Sequence, residues 1–135
     1  MKFKEISPYN SDGSIRQLKD LVVSISENDY TWSILEFDGV GMAPNKMEMA
    51  AFEALALAEP QGFFMTWTEF KSFVKSVNDV TNCLIVGALL PDDISTKKND
   101  IQNYINCEVV IEVLDGADWT IGVNGKHINF LSRFE

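Results

Sequence analysis

The chain of 135 residues (15.2 kDa) is long enough for one domain and too short for two ordinary ones, so residues 1–135 are read as a single unit. Hydrophobic residues make up 46% and charged residues 23%, with a mean hydropathy of −0.03, which provides for a packed core and argues against gross disorder. The formal charge of −9, from 11 basic and 20 acidic side chains, argues against nucleic acid or an anionic membrane surface as a direct ligand, because phosphates are held by clustered Lys and Arg.

The only arginines are Arg16 and Arg133, and the one basic doublet is Lys97-Lys98. The acidity is spread evenly: residues 1–60 carry a net −5 and residues 61–135 a net −4, so the charge belongs to a folded surface and not to a tail. The N-terminus, Met1-Lys2-Phe3-Lys4-Glu5, lacks the apolar stretch of a signal peptide. The most apolar run, Cys83 to Leu90, is far shorter than a membrane span. A cytoplasmic location with reduced thiols is therefore expected for Cys83 and Cys107, although pairing of strands at 83–90 and 105–113 would leave a disulfide as a minor alternative.

Residues 2–6 suit a short edge strand. Candidate N-caps follow at Ser11-Asp12-Gly13-Ser14, and Ile15, Leu18, Leu21, Val22 and Ile25 trace one helical face, predicting a helix over 13–27 with Arg16, Lys19, Asp20 and Glu27 outward. Residues 30–38 are aromatic and β-branched and predict a strand ending at Asp38-Gly39. Asn45 and Glu48 have capping-box spacing. They precede a helix whose apolar face is Met47, Ala51, Ala54, Leu55 and Ala58, stopped by Pro60 and Gly62. After a short apolar run at 62–65, Thr66 and Glu69 make a second capping box. Phe70, Phe73, Val74 and Val77 then give the clearest helical stripe in the chain, over 67–78.

Beyond residue 80 the period changes to two. Cys83 to Leu90 is apolar on both faces, as in a covered central strand, and Pro91-Asp92-Asp93 ends it. Residues 94–103 are polar and read as a loop or weak helix. Ile105, Cys107, Val109, Ile111 and Val113 alternate with mostly polar partners and predict a half-buried strand, turned back at Asp115-Gly116-Ala117-Asp118. Trp119, Ile121 and Val123 form the next strand. Asn124-Gly125 is a hairpin signal, and the final residues fit a strand through Ile128 and Phe130 better than a helix through His127, Phe130, Leu131 and Phe134. Helices first and an antiparallel meander last predict an α+β fold, with three helices on one face of a mainly antiparallel sheet that ends in a C-terminal meander.

No catalytic signature accompanies this pattern. His127 is the only histidine, so any Ser-His-Asp or Cys-His device would need it, yet nothing local resembles a nucleophile elbow. One histidine and two isolated cysteines do not make a transition-metal site, and Asp115-Gly116-Ala117-Asp118 lacks the alternating ligands of a calcium loop. Gly39-Val40-Gly41 is too little for a phosphate loop. No cofactor or metal is expected. Trp32, Trp67 and Trp119 suit either core plugs or interface anchors.

Glu108-Val109-Val110-Ile111-Glu112-Val113-Leu114-Asp115, then Asp118-Trp119-Thr120-Ile121, and an ending in Leu131-Ser132-Arg133-Phe134, resembles small bacterial immunity proteins. These accompany polymorphic toxins such as contact-dependent growth inhibition effectors. The likeness extends to size, acidity and helix-then-meander order. It implies a cytosolic, non-enzymatic antitoxin that binds a cognate toxin domain, often a nuclease with a basic cleft, and it carries over no individual functional residue. A carboxylate-rich surface suits such a cleft as a substitute for phosphate. The turn positions Asp92 and Asp93, and Asp115, Asp118 and Trp119, are the expected contact residues. The alternative is a small enzyme or ligand-binding domain, with an apolar pocket under a curved sheet served by Glu36, Asp38 or His127.

Overall fold

The computed structural model describes residues 1–134. Its strands are β1 (Lys2–Ile6), β2 (Thr31–Gly41), β3 (Phe63–Met65), β4 (Val77–Ala88), β5 (Val109–Leu114) and β6 (Asp118–Val123). Its helices are α1 (Leu18–Val22), α2 (Met49–Ala58), α3 (Trp67–Ser76) and α4 (Ile128–Leu131). The strands form one sheet in the order β1-β6-β5-β4-β2-β3, and every neighbouring pair is antiparallel. The α+β expectation holds, with four helices among the described residues instead of three.

All four helices contribute to one core. Leu21, Phe52, Phe70 and Phe130 meet sheet residues such as Trp32, Ile34, Ile85, Ile111 and Ile121. The second face of the sheet is also covered, over part of its area. The connection 89–108 lays Ile94, Tyr104 and Cys107 on Leu35, Leu84, Val86 and Val110, with Met1 and the β1 residue Phe3 at the margin. Lys98 anchors this connection. Its ammonium donates to Leu35 O at 3.0 Å, Ala56 O at 2.8 Å and Leu57 O at 3.1 Å, satisfying carbonyls at a β2 bulge and at the end of α2.

Helix α3 forms as its sequence dictates. Thr66 Oγ1 accepts from Glu69 N at 3.2 Å, the Glu69 carboxylate accepts from Thr66 N at 2.9 Å, and Phe70 stacks on Trp32 at 4.4 Å. Helix α1 is much shorter than the predicted 13–27. Asp12 accepts from Ser14 N, giving the backbone a local alternative to the helix, and Gly13 turns at φ +87°. Arg16, expected outward, is 9% exposed and donates to Ser7 O and Tyr9 O.

The predicted Asn45–Glu48 box does not form, because Asn45 and Lys46 turn the chain at positive φ and the helix starts at Met49. Its buried residues are Phe52 and Ala56, not the predicted alanine face. In a helix that is apolar nearly all round, the aromatic ring sets the rotation: Phe52 meets Phe37, Phe63 and Phe73.

Strand β4 begins at Val77, directly off α3, and stops before the exposed Leu89 and Leu90. The strand predicted over 105–113 shortens to β5, because the chain first makes a 3₁₀ turn at Ile101–Tyr104 to put Tyr104 and Cys107 into the second core. The expected C-terminal strand is a correction. Asn124-Gly125 makes no hairpin. A 3₁₀ turn at Gly125–His127 leads into α4, so the meander β4-β5-β6 is followed by a helix. Strand β1 already occupies the free edge of β6, from Lys2 opposite Val123 to Ile6 opposite Trp119, and no edge remains there for a further strand. Cys83 and Cys107 belong to the cores on opposite faces of the sheet and are free thiols, which removes the disulfide alternative. Burial pushes both thiols up, Cys107 to about 12.

Candidate functional site

The sequence-predicted contact residues fall into two separate places. Asp115 and Asp118 are exposed at the β5–β6 turn, where Asp115 and Gly116 adopt left-handed φ of 54° and 70°. Asp115 N donates to Asn82 Oδ1 and Gly116 N to Thr81 O, so the turn is bolted to the start of the β4 ladder. Asp92 and Asp93 lie in the 3₁₀ turn Pro91–Asp93, past the other end of β4. Six residues of strand between Asn82 and Ala88 put these pairs roughly 20 Å apart or more. Trp119 is 2% exposed, and its indole N–H donates to Gly116 O at 3.3 Å. It plugs the core beneath the turn and presents nothing to a partner.

Strand register assembles a larger acidic surface around Asp118. Glu5 of β1 pairs with Thr120 of β6, Thr120 with Glu112 of β5, Glu112 with Leu84 of β4, and Leu84 with Glu36 of β2. One step on, Asp118 pairs with Leu114, and Asn82 with Asp38. These two rows continue the face covered by the connection 89–108 into the part it leaves open. They hold the carboxylates of Glu5, Glu36, Asp38, Glu112 and Asp118 and no Lys or Arg. Glu112 is half-buried, and burial raises its pKa, reinforced by the charges of Asp100 and Glu36. The Lys98 ammonium, which feels Glu36, is turned to backbone carbonyls. Sequence reasoning found Asp118 but did not connect it to Glu5 or Glu112, since only pairing reveals which side chains share a face.

Glu36 and Asp38 thus stand exposed on the sheet surface. His127 is the one member of the enzyme alternative with an unusual setting. Its ring packs edge-on to Tyr30 at 5.7 Å, and Nε2 shares a short hydrogen bond with the Tyr30 hydroxyl. Nε2 also lies 4.0 Å from Glu108 Oε2, and Lys126 Nζ is 3.7 Å from Glu108 Oε1. Glu108 is 4% exposed, and its Oε2 has no hydrogen-bond partner. Burial lowers the His127 pKa, while Glu108 opposes the shift. This cluster clasps the C-terminal turn to the residues that lead into β2 and β5. The cavity beside it, between Ser24, Ser26 and His127, is only about 130 Å³. Tyr30 and Glu108 were hidden from sequence reasoning because each reads as an ordinary strand residue.

The larger cavities, of 530 to 580 Å³, are open surface grooves. Among the described residues, no group of three or more His, Cys, Asp or Glu side chains could hold a metal ion, and no helix is long and apolar enough to cross a membrane. No family model, curated protein or solved structure matches the chain.

Proposed function

We propose that this protein is a non-enzymatic immunity protein that neutralises a cognate bacterial toxin domain by tight direct binding in the cytoplasm. The observation that carries this reading is the one-sided open half of the sheet, with five carboxylates in two adjacent register rows. A nuclease domain holds its substrate's phosphates with Lys and Arg, and a rigid array of carboxylates substitutes for them through charge-assisted pairs. A sheet suits this purpose better than a loop, because backbone pairing fixes the spacing of the charges before the partner arrives. Asp115, in the turn just before Asp118, extends the array at its end.

Co-purification from the native host tests the reading, with the captured partner assayed for toxicity in the presence and absence of this chain. A toxin whose activity is abolished at one-to-one stoichiometry supports it. A partner that is no toxin, or substrate turnover by the isolated polypeptide, sinks it.

A further inference from the structure

The two edges of the sheet are built in opposite ways. Edge strand β1 reads Lys2-Phe3-Lys4-Glu5-Ile6, with three charges in five residues. Charged side chains, lysine above all, discourage a second chain from adding to an edge. Edge strand β3 reads Phe63-Phe64-Met65, with no charge, and pairs only with β2. Phe64 is 42% exposed there and stands between two open grooves of about 560 and 580 Å³ that both include it. Leu55, Pro60 and Phe63 supply apolar wall on one side, and Tyr30, Met65 and Pro91 on the other.

The rim of these grooves is acidic. Glu59 borders the first, and Glu27, Asp29 and Glu69 border the second; neither lining contains a Lys or Arg. Glu27 is paired with Lys71 at 2.7 Å and Glu59 feels the Lys98 ammonium, so four rim carboxylates face two nearby cations and the local field stays negative. An uncharged open edge, an exposed aromatic side chain and an acidic rim together fit one occupant. A second copy of this chain is disfavoured, because two-fold pairing of β3 would bring the acidic rims of two molecules of charge −9 together.

We propose that the free edge of β3 accepts an extended, Lys- or Arg-bearing segment of another protein as a seventh strand. Its backbone pairs with β3, its apolar side chains enter the grooves beside Phe64, and its cations face Asp29, Glu59 and Glu69. This site lies at the opposite edge of the sheet from Glu5 and does not depend on the immunity reading.

The test titrates ¹⁵N-labelled protein with an alternating Lys–Val octapeptide, and with a Glu–Val octapeptide as control. The expected result is amide shifts and slowed hydrogen exchange concentrated at residues 62–66 with the basic peptide alone. Phe64→Lys, which gives β3 the guard that β1 has, should weaken binding by roughly tenfold or more. Glu59→Lys reports on the rim independently should Phe64→Lys disturb the fold, and it should weaken binding several-fold and reduce its salt dependence. Shifts centred on Glu36 and Glu112 would overturn the proposal, as would equal binding of the acidic peptide, no binding at ~1 mM peptide, or dimerisation of the chain through β3.

Discussion

Lys98 holds the connection 89–108 onto the sheet, and Lys98→Met measures how much. Methionine keeps the apolar stem and removes only the ammonium and its three bonds, to Leu35 O, Ala56 O and Leu57 O. Each bond to a charged donor is worth about 1.5–3 kcal/mol when formed away from water. The Leu57 bond is exposed and counts for little, whereas the other two are partly buried. Burial also lowers the Lys98 pKa, so the bonds act against a desolvation cost that methionine does not bear. The expected net loss is therefore about 2 kcal/mol, less than the gross value of two bonds. Urea denaturation gives the total as a fall in midpoint at constant slope. Hydrogen exchange gives the location: amides of residues 94–110 should exchange faster, while those of α3 follow only the global change. A loss below about 0.5 kcal/mol, with unchanged protection over 94–110, would refute the anchoring role.

Asp115→Lys with Asp118→Lys should weaken toxin binding and flatten its dependence on ionic strength, measured by calorimetry at low and high salt; unchanged affinity would remove these residues from the interface. Because the folded-state pKa of Glu112 is raised above 4.5, its contribution to stability is full below that pH and is lost as pH rises through the folded value. Glu112→Gln should therefore stabilise the protein at neutral pH, on the order of 0.5 kcal/mol for a solvent-screened charge, with the gain vanishing in acid melts. For His127 the sign is opposite to that of a paired histidine. Its folded pKa lies below 6.5, the unfolded chain binds the proton more readily, and stability falls as pH drops through 6.5. Comparing His127→Gln with the parent between pH 5 and pH 8 should show the parent losing relative stability on the acid side; parallel profiles would contradict this.

Elements were legible where local signals agreed with one another. In α3 the capping box, the stripe of Phe70, Phe73 and Val74, and the absence of a competing apolar face all point the same way. In α2 they do not: Ala, Leu and Met surround the helix, so the sequence left its rotation undetermined until Phe52 found its aromatic neighbours. The C-terminal segment misled for a different reason. Asn124-Gly125 suits a tight hairpin, but a hairpin needs a free edge, and β1 had taken it from the far end of the chain. Such competition between distant segments leaves no local trace. Helix α1 was overextended because an apolar stripe says nothing about a side chain such as Asp12, which diverts the backbone into a turn.

The candidate surface was partly legible for a related reason. Alternation along β5 puts Glu112 opposite in orientation to Ile111 and Val113, but alternation within one strand carries no information on what covers the more polar face. What makes that face unusual is the uneven cover above it. Tyr104 and Cys107 cover Val86 and Val110, Leu84 and the half-buried Glu112 lie at the margin of that cover, and Glu5, Glu36, Asp38 and Asp118 stay exposed. Had the connection 89–108 crossed the whole face, these carboxylates would have required buried partners or protonation. Had it crossed none, Leu35, Leu84 and Val110 would have been exposed as an apolar patch. The position of the Lys98 anchor, at the bulge of β2 beside Glu36, therefore sets the boundary between the part of the sheet that is packed into the second core and the part left exposed with its carboxylates.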